Sequence, residues 1–338
     1  MKKNETILVT GGAGFMGSNF IHFVLRKFPG IRVINVDALT YAGNLDNVRG
    51  LPKNRHRFVK GDITDFSLMR RLMERADYAV NFAASTHVDR SIHESPEDFV
   101  HTNTHGVFTL LEALRRSPRV KKMVQVSTDE VWGSLALDSK KKFNESFPYR
   151  PNSPYAASKA AGDLFCRAFF KTYGVPVIVS HSVNNFGPRQ FPEKLIPFFF
   201  LRAQQNKPLP LYGDGKNVRD WIHADDHSAA IVTLLKKGVP GEEYAVAGED
   251  EHPNHEIAKL VLASMQKPNH KIHFVPDRPG HDRRYAVDAS KIRQLGWNPK
   301  MNLAQSLPSV IAWYQQNNDW LRGVLKKNKK INQHIILS

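Results

Sequence analysis

The stretch Thr10-Gly-Gly-Ala-Gly-Phe-Met-Gly17 constrains this chain more than any other feature. It sits between the apolar run Thr6–Thr10 and a helical pattern over Ser18–Lys27. Gly11, Gly14 and Gly17 carry the GxxGxxG spacing. Glycines here allow a tight turn, close approach of a pyrophosphate, and close packing of helix on strand. The free N–H groups near Phe15 and Met16 would face the phosphates. Such a motif alone is weak evidence, but between a strand and a helix it is specific. Asp37 ends the second strand pattern, twenty positions after Gly17. An acid there accepts from a ribose 2′-hydroxyl and repels a 2′-phosphate, which favours NAD over NADP. Asp62 ends the third strand pattern and is read either as an adenine neighbour or as a loop aspartate.

The rest of the first half repeats the alternation. Strand-like runs fall at Arg32–Val36, His56–Lys60, Tyr78–Phe82, Lys122–Ser127 and Val175–Ser180. Helical patterns cover Thr104–Arg116 and Pro154–Tyr173. This alternation predicts an α/β fold, a doubly wound parallel Rossmann-type sheet with a smaller C-terminal α/β substrate lobe. After about Asn184, prolines and aromatics cluster and the period becomes irregular. The expected NAD-binding domain is 1–184, with 220–250 returning to it as a helix Asp220–Lys237 and a strand Glu243–Ala247. Residues 185–219 and 251–325 form the substrate lobe, and 326–338 a basic tail.

Composition adds limits. The chain is 41% hydrophobic and 24% charged, ordinary for a globular protein. Its one cysteine, Cys166, lies in an apolar run and reads as a core thiol, so no internal disulfide forms. The net charge of +16 sits partly in short runs such as Lys140–Lys142 and Lys326–Lys330, read as a solvated basic surface. No helix-turn-helix, zinc or ribonucleoprotein signature accompanies it, so neither nucleic acid nor a metal is expected. No span of about 20 apolar residues occurs, so a soluble, cytoplasmic protein is expected, without a membrane partner.

Two constellations carry chemistry. Tyr155 and Lys159 lie in Ser153-Pro-Tyr-Ala-Ala-Ser-Lys159, where Ser153 suits an N-cap and Pro154 the first helical turn. Their spacing of four puts both on one helical face. An ammonium and a bound nicotinamide cation would lower the tyrosine pKa and make it a base. Ser127-Thr-Asp-Glu-Val-Trp-Gly133 follows a strand, so Thr128, Asp129 and Glu130 should stand at a carboxyl edge, where open α/β sheets bind ligands. Two adjacent carboxyls suit a reaction needing one acid and one base if their environments push their pKa values apart.

These motifs resemble the extended short-chain dehydrogenase/reductase family. Longer strings resemble its dTDP-glucose 4,6-dehydratases: Leu39-Thr-Tyr-Ala-Gly-Asn-Leu45, Thr86-His-Val-Asp-Arg-Ser-Ile92, Asn184-Asn-Phe-Gly-Pro188, Phe191-Pro-Glu-Lys-Leu-Ile-Pro197, Val218-Arg-Asp-Trp221 and Asp277-Arg-Pro-Gly-His-Asp-Arg-Arg-Tyr285. The resemblance spans roughly residues 6 to 315. It implies that Thr128 binds the sugar 4-hydroxyl and Tyr155 takes its proton while hydride leaves carbon 4 for NAD. Glu130 would then remove the carbon 5 proton, Asp129 would protonate the departing 6-hydroxyl, and hydride would return to carbon 6.

The resemblance further implies a cofactor surface that adds Leu39, Thr40, Ile63, Phe82, Ala83, Ala84, Thr86, Thr102 and Asn184 to the residues above. A nucleotide-diphosphate sugar would meet Thr86, Asn184, Lys194, Leu195, Pro210, Tyr212, Arg219, Asn254, Arg278, His281 and Tyr285. Arg219 and Arg278 make physical sense there, because guanidinium binds phosphate bidentately. His87 is read as structural. In this family the helices Thr104–Arg116 and Pro154–Tyr173 pair across a two-fold axis, which implies a homodimer, the default for an oligomer as well. Ala38, Ser85, Thr86, Trp132, Phe186 and Ala245 depart from the usual pattern. A UDP-linked or other activated sugar stays open for that reason. A 4-epimerase or decarboxylase of the same fold, and a non-catalytic NAD-binding module, are the rival readings. An epimerase needs no carboxyl pair, a decarboxylase needs an extra arginine that is not found, and a binding module needs none of the constellation.

Overall fold

The computed structural model describes residues 3–268 and 271–327. Its strands are β1 (Thr6–Thr10), β2 (Arg32–Asp37), β3 (His56–Lys60), β4 (Tyr78–Asn81), β5 (Lys122–Thr128) and β6 (Val177–Ser182). There follow β7 (Asn184–Phe186), β8 (Leu209–Tyr212), β9 (Val218–His223), β10 (Glu243–Val246), β11 (Glu251–Pro253) and β12 (Ile272–Val275). Seven of them make one parallel sheet, ordered β10-β6-β5-β4-β1-β2-β3. The order reverses between β1 and β4, and a crevice opens beyond the carboxyl ends of the strands at such a switch point.

Both faces of the sheet are covered, so its central strands send apolar side chains to both, and the buried Asn81 and Gln125 satisfy one another by a 2.7 Å hydrogen bond. In β1, Ile7 and Val9 join one core with Phe20, Ile21 and Ile231, from the helices Phe15–Lys27 and Ala224–Lys237. Leu8 points the other way, into a second core with Met69, Leu111, Cys166 and Phe169. That face carries the helices Phe66–Met73, Val107–Arg115 and Pro154–Tyr173. Cys166 is 1% exposed and burial raises its thiol pKa, so it is a core thiol. A third core lies in a smaller lobe around Phe186, Phe199, Trp221, Val261 and Tyr314, flanked by the short sheets β11-β9-β7 and β12-β8.

Several expected elements differ. The first helix begins at Phe15, not Ser18, because the glycine turn feeds directly into it from Gly14. Before the Val107–Arg115 helix, Val100–Gly106 is wound as a π-helix, which turns Asn103 onto Ser85 and Ser158. The start expected as a helix at Asp220 is strand β9. Its side chains alternate, with Trp221 entering the core of the small lobe and Ile222 that of the sheet. The helix follows only at Ala224, capped by His223 accepting from the Asp225 N–H at 3.1 Å. Residues 285–297, expected in the substrate lobe, place Tyr285, Val287, Ile292 and Trp297 in the sheet's core. Short bridges from Leu135 to Arg284 and from Phe143 to Val287 hold them there. Residues Asn318–Lys327 form a helix, with Trp320 and Leu321 in the core of the small lobe. The rest of the expected basic tail, 328–338, lies outside the described residues.

Candidate active site

A continuous cleft runs over the carboxyl ends of the strands, from Asp37 to the small lobe. At its first end, Gly11 has φ +67°, and a Cβ there would stand 2.5 Å from the Ala83 nitrogen. A Cβ on Gly17 would stand 2.3 Å from the Gly11 carbonyl oxygen. The glycines therefore draw β1, the loop after β4 and the first helix to backbone contact. Asp37 is 8% exposed and lies in the cleft wall, its Oδ2 accepting from Ala13 N–H at 2.9 Å and Oδ1 from Leu39 N–H at 2.8 Å. Burial raises its pKa, and the amide bonds oppose that rise.

Thr40, Asp62, Ile63, Phe82, Ala83, Ala84 and Thr102 line the same stretch. Leu39 does not: its φ of +57° turns the chain, and only its N–H serves the site, through Asp37. Asp62 is exposed and accepts from the Thr64 amide and hydroxyl at 2.9 Å, as a turn residue does. These walls fit a dinucleotide: a glycine cradle at a helix start, then an acid at the end of β2.

Deeper in, Phe15, Met16, Gly17, Thr86, Thr128, Asp129, Glu130, Tyr155, Lys159 and Asn184 line one continuous wall. The Ser153 hydroxyl caps the Pro154–Tyr173 helix, accepting from Ala156 N–H at 3.1 Å. Thr128 caps the turn that bears the carboxyls, accepting from Glu130 N–H at 3.3 Å and donating to Asp129 Oδ1 at 3.3 Å. Asp129 Oδ2 is buried with no protein partner. Burial, Glu130 and Asp220 push the Asp129 pKa well above the carboxylate range, with Arg219 opposing. Burial also raises Glu130, but Arg278, Arg219 and Lys194 pull it back. The charges facing the two carboxyls therefore differ, with Asp220 bearing on Asp129 and Arg278 and Lys194 on Glu130.

Tyr155 lies on the same wall, 7% exposed. Burial, Glu130 and Asp129 hold its pKa well above the ordinary value, and the Thr128 hydroxyl opposes them. Lys159 is 3% exposed and gives Val126 O a 2.7 Å hydrogen bond. Burial lowers its pKa, and Asp163 counters part of that.

Beyond Glu130 the cleft is walled by Thr86, Asn184, Lys194, Leu195, Pro210, Tyr212, Arg219, Asn254, Arg278, His281 and Tyr285. Arg278 donates to Asp89 Oδ1 at 2.8 Å, and Tyr212 OH donates to Asp89 Oδ2 at 3.3 Å. Arg219 gives Val218 O and Asp282 O hydrogen bonds of 2.8 and 2.9 Å and lies 4.2 Å over the Tyr285 ring. Lys194 donates to Thr86 O at 2.9 Å. Burial and the two arginines lower the His281 pKa to about 4. Arg278 Nε and Asn254 Oδ1 are buried without protein partners. Three cations and unpaired polar atoms at one end suit a diphosphate and its base.

Residues that sequence reasoning missed are Asp89, which orients Arg278, and Glu193, which accepts from Tyr41 OH at 3.1 Å. Both fall inside strings already singled out, so a buried acid within such a string was the available signal. His87 caps the helix Val88–His93 and also borders the cleft.

Comparison with known proteins follows the geometry. A family model described as GDP-mannose 4,6-dehydratase matches residues 8–309. The dTDP-glucose 4,6-dehydratase of Xanthomonas campestris is 47% identical, over 97% of this chain and 98% of the relative. A crystal structure of dTDP-glucose 4,6-dehydratase from Bacillus anthracis in complex with NAD superposes with a TM-score of 0.88 at 44% identity, covering 95% of this chain and 99% of that one. The UDP-glucuronic acid 4-epimerase of Bacillus cereus, with NAD, gives 0.85 at 25% identity, over 92% and 99%.

Proposed function

The chain belongs to the family described by the GDP-mannose 4,6-dehydratase model, and from that membership we propose that it is an NAD-dependent lyase, a nucleotide-sugar 4,6-dehydratase that converts dTDP-glucose to its 4-keto-6-deoxy form. The observation that carries the reading is the placement of Asp129 and Glu130 with Tyr155 and Lys159 on one wall of the cleft. NAD, held by the Gly11–Gly17 turn and Asp37, would supply hydride-transfer chemistry at carbon 4 and carbon 6 when bound. Thr128 and Tyr155 hold the 4-hydroxyl, and Tyr155 takes its proton. The carbon 4 ketone acidifies the carbon 5 hydrogen, which Glu130, the carboxyl more easily ionised, removes. Asp129, whose pKa burial, Glu130 and Asp220 push well above the carboxylate range, gives its proton to the 6-hydroxyl, which leaves as water, and Glu130 returns a proton to carbon 5 as hydride reaches carbon 6. Arg219, Arg278 and Lys194 anchor the diphosphate, and Asp89 fixes Arg278 in place.

The same-fold epimerase shares Tyr155 and Lys159 in chemistry but has no use for a second acid and base, so the carboxyl pair favours dehydration. The test uses dTDP-glucose deuterated at carbon 4, mixed with unlabelled sugar. Mass spectrometry should find the label at carbon 6 of the same molecule, with no net NADH. Label retained at carbon 4, or crossover between sugars, refutes it.

A homodimer is part of the proposal. Phe108, Leu164, Phe165 and Tyr173 stand on two adjacent helices, and Leu164 and Tyr173 are 56% and 54% exposed. An apolar patch on neighbouring helices suits a two-fold four-helix interface. A cytoplasmic location belongs to the same reading. Among the described residues no helix is long and apolar enough to cross a membrane.

A further inference from the structure

Behind the reaction wall lies a buried row of ionisable groups that the mechanism above does not use. Asp163 is two turns past Tyr155 and one turn past Lys159 on the Pro154–Tyr173 helix, and it is fully buried. The Ser127 hydroxyl donates to its Oδ2, and Oδ1 has no protein partner. His181, also fully buried on β6, brings Nδ1 to 3.9 Å from Asp163 Oδ2 and 3.4 Å from Thr128 O. Its Nε2 meets Glu243 Oε2 at 3.1 Å and the Tyr149 hydroxyl at 3.3 Å, while Tyr149 OH donates to the same Glu243 oxygen at 3.0 Å. Both ring nitrogens face acceptors, so the geometry favours the doubly protonated, cationic imidazole. One turn before Asp163, Lys159 bonds Val126 O next to Ser127, so an ammonium and a carboxylate share this buried layer, with Glu243 beyond His181. Glu243 lies on the edge strand β10, with a side chain 23% exposed.

We propose that Asp163, braced by His181 and Glu243, is a positioning residue that keeps Lys159 an ammonium behind Tyr155, so that the pH at which Tyr155 becomes a base is set from the edge of the sheet. This rests on the assignment of Tyr155 as the base for carbon 4 oxidation. Without a counter-charge, a buried lysine loses its proton readily. Burial raises the Asp163 pKa to about 6, with His181, Lys159 and the Ser127 hydroxyl opposing it. Burial alone would lower His181, but Glu243 and Asp163 outweigh it and its pKa is raised. The other titratable groups facing Asp163 are Tyr155 and Cys166 on its own helix and Tyr149 across from it.

Two effects of Asp163 oppose one another. Its own negative charge raises the Tyr155 pKa, whereas the ammonium it maintains lowers it. If the inference holds, the second dominates. The experiment follows NADH formation in single turnovers of the NAD-bound enzyme with dTDP-glucose across pH, for wild type, Asp163→Asn and Glu243→Gln. Melting temperature and retained NAD serve as controls. The acidic limb should move up by about one pH unit in Asp163→Asn, a roughly tenfold slower oxidation at a fixed pH below the limb. KM should not change, because Asp163 does not touch the cleft. Glu243→Gln should shift the limb in the same direction by less, and it decides the matter if Asp163→Asn does not fold. A limb that stays in place, with or without a uniform loss of rate, overturns the inference, as does a downward shift. Failure of wild type to convert dTDP-glucose to the 4-keto-6-deoxy sugar overturns the proposed function instead.

Discussion

Replacing Asp129 by asparagine isolates the proton that the dehydration step needs. The native side chain is 2% exposed, and burial, Glu130 and Asp220 push its pKa well above the usual carboxylate range. The substitution keeps nearly the same shape and replaces the ionisable group by a neutral amide. The amide oxygen can still accept from Thr128, so folding stability should change by no more than about 1 kcal/mol. The amide cannot protonate the leaving 6-hydroxyl. A lost acid contact is worth about a hundredfold to ten-thousandfold, or about 2.7 to 5.5 kcal/mol on the barrier. Oxidation at carbon 4 does not use this group, so it should proceed. NADH should then accumulate in single turnover while release of water, followed by mass spectrometry in labelled solvent, becomes slow. An unchanged dehydration rate would remove Asp129 as the acid. Loss of the NADH transient would mean that the side chain also serves oxidation.

Other expectations follow from the same geometry. The dehydration step should show a bell-shaped pH profile: rate falls as pH drops through the Glu130 pKa and protonates the base, and falls as pH rises through the higher Asp129 pKa and removes the acid. A single-limbed profile would contradict the split. Asp37→Asn should relax the preference for NAD over NADP, measured by retained cofactor and by activity. It should also cost about 1–3 kcal/mol, because one of the Ala13 and Leu39 amides loses its acceptor. Leu164→Glu should convert the dimer to monomer in sedimentation experiments, and a dimer that persists would place the interface elsewhere.

The sheet was legible because its signals are local. A strand covered on both faces sends apolar side chains to each, as Ile7, Leu8 and Val9 do, and a glycine turn between strand and helix has few other uses. The returning segment misled because Ala224–Lys237 has a strong helical pattern. Only the opposed burial of Trp221 and Ile222, on two different cores, marks the preceding residues as a strand. Residues 285–297 misled for a related reason. They lie far along the chain from the sheet they cover, and nothing local to them names Leu135 and Phe143 as neighbours.

In the site, identity was legible but ionisation was not. Spacing put Tyr155 and Lys159 on one helical face, yet Tyr155 stands in a buried, carboxylate-rich setting that raises its pKa. Asp129 and Glu130 are adjacent in sequence, and both are carboxylic acids. What separates them is supplied from elsewhere: Asp220 on β9 acts on one, while Arg278 and Lys194, brought from the small lobe, act on the other. The acid and base of this site are therefore a property of how the two lobes close on β5. A change that moves Arg278, such as loss of Asp89 on the helix Val88–His93, should alter the ionisation of Glu130 while every residue of the Thr128–Glu130 turn stays in place.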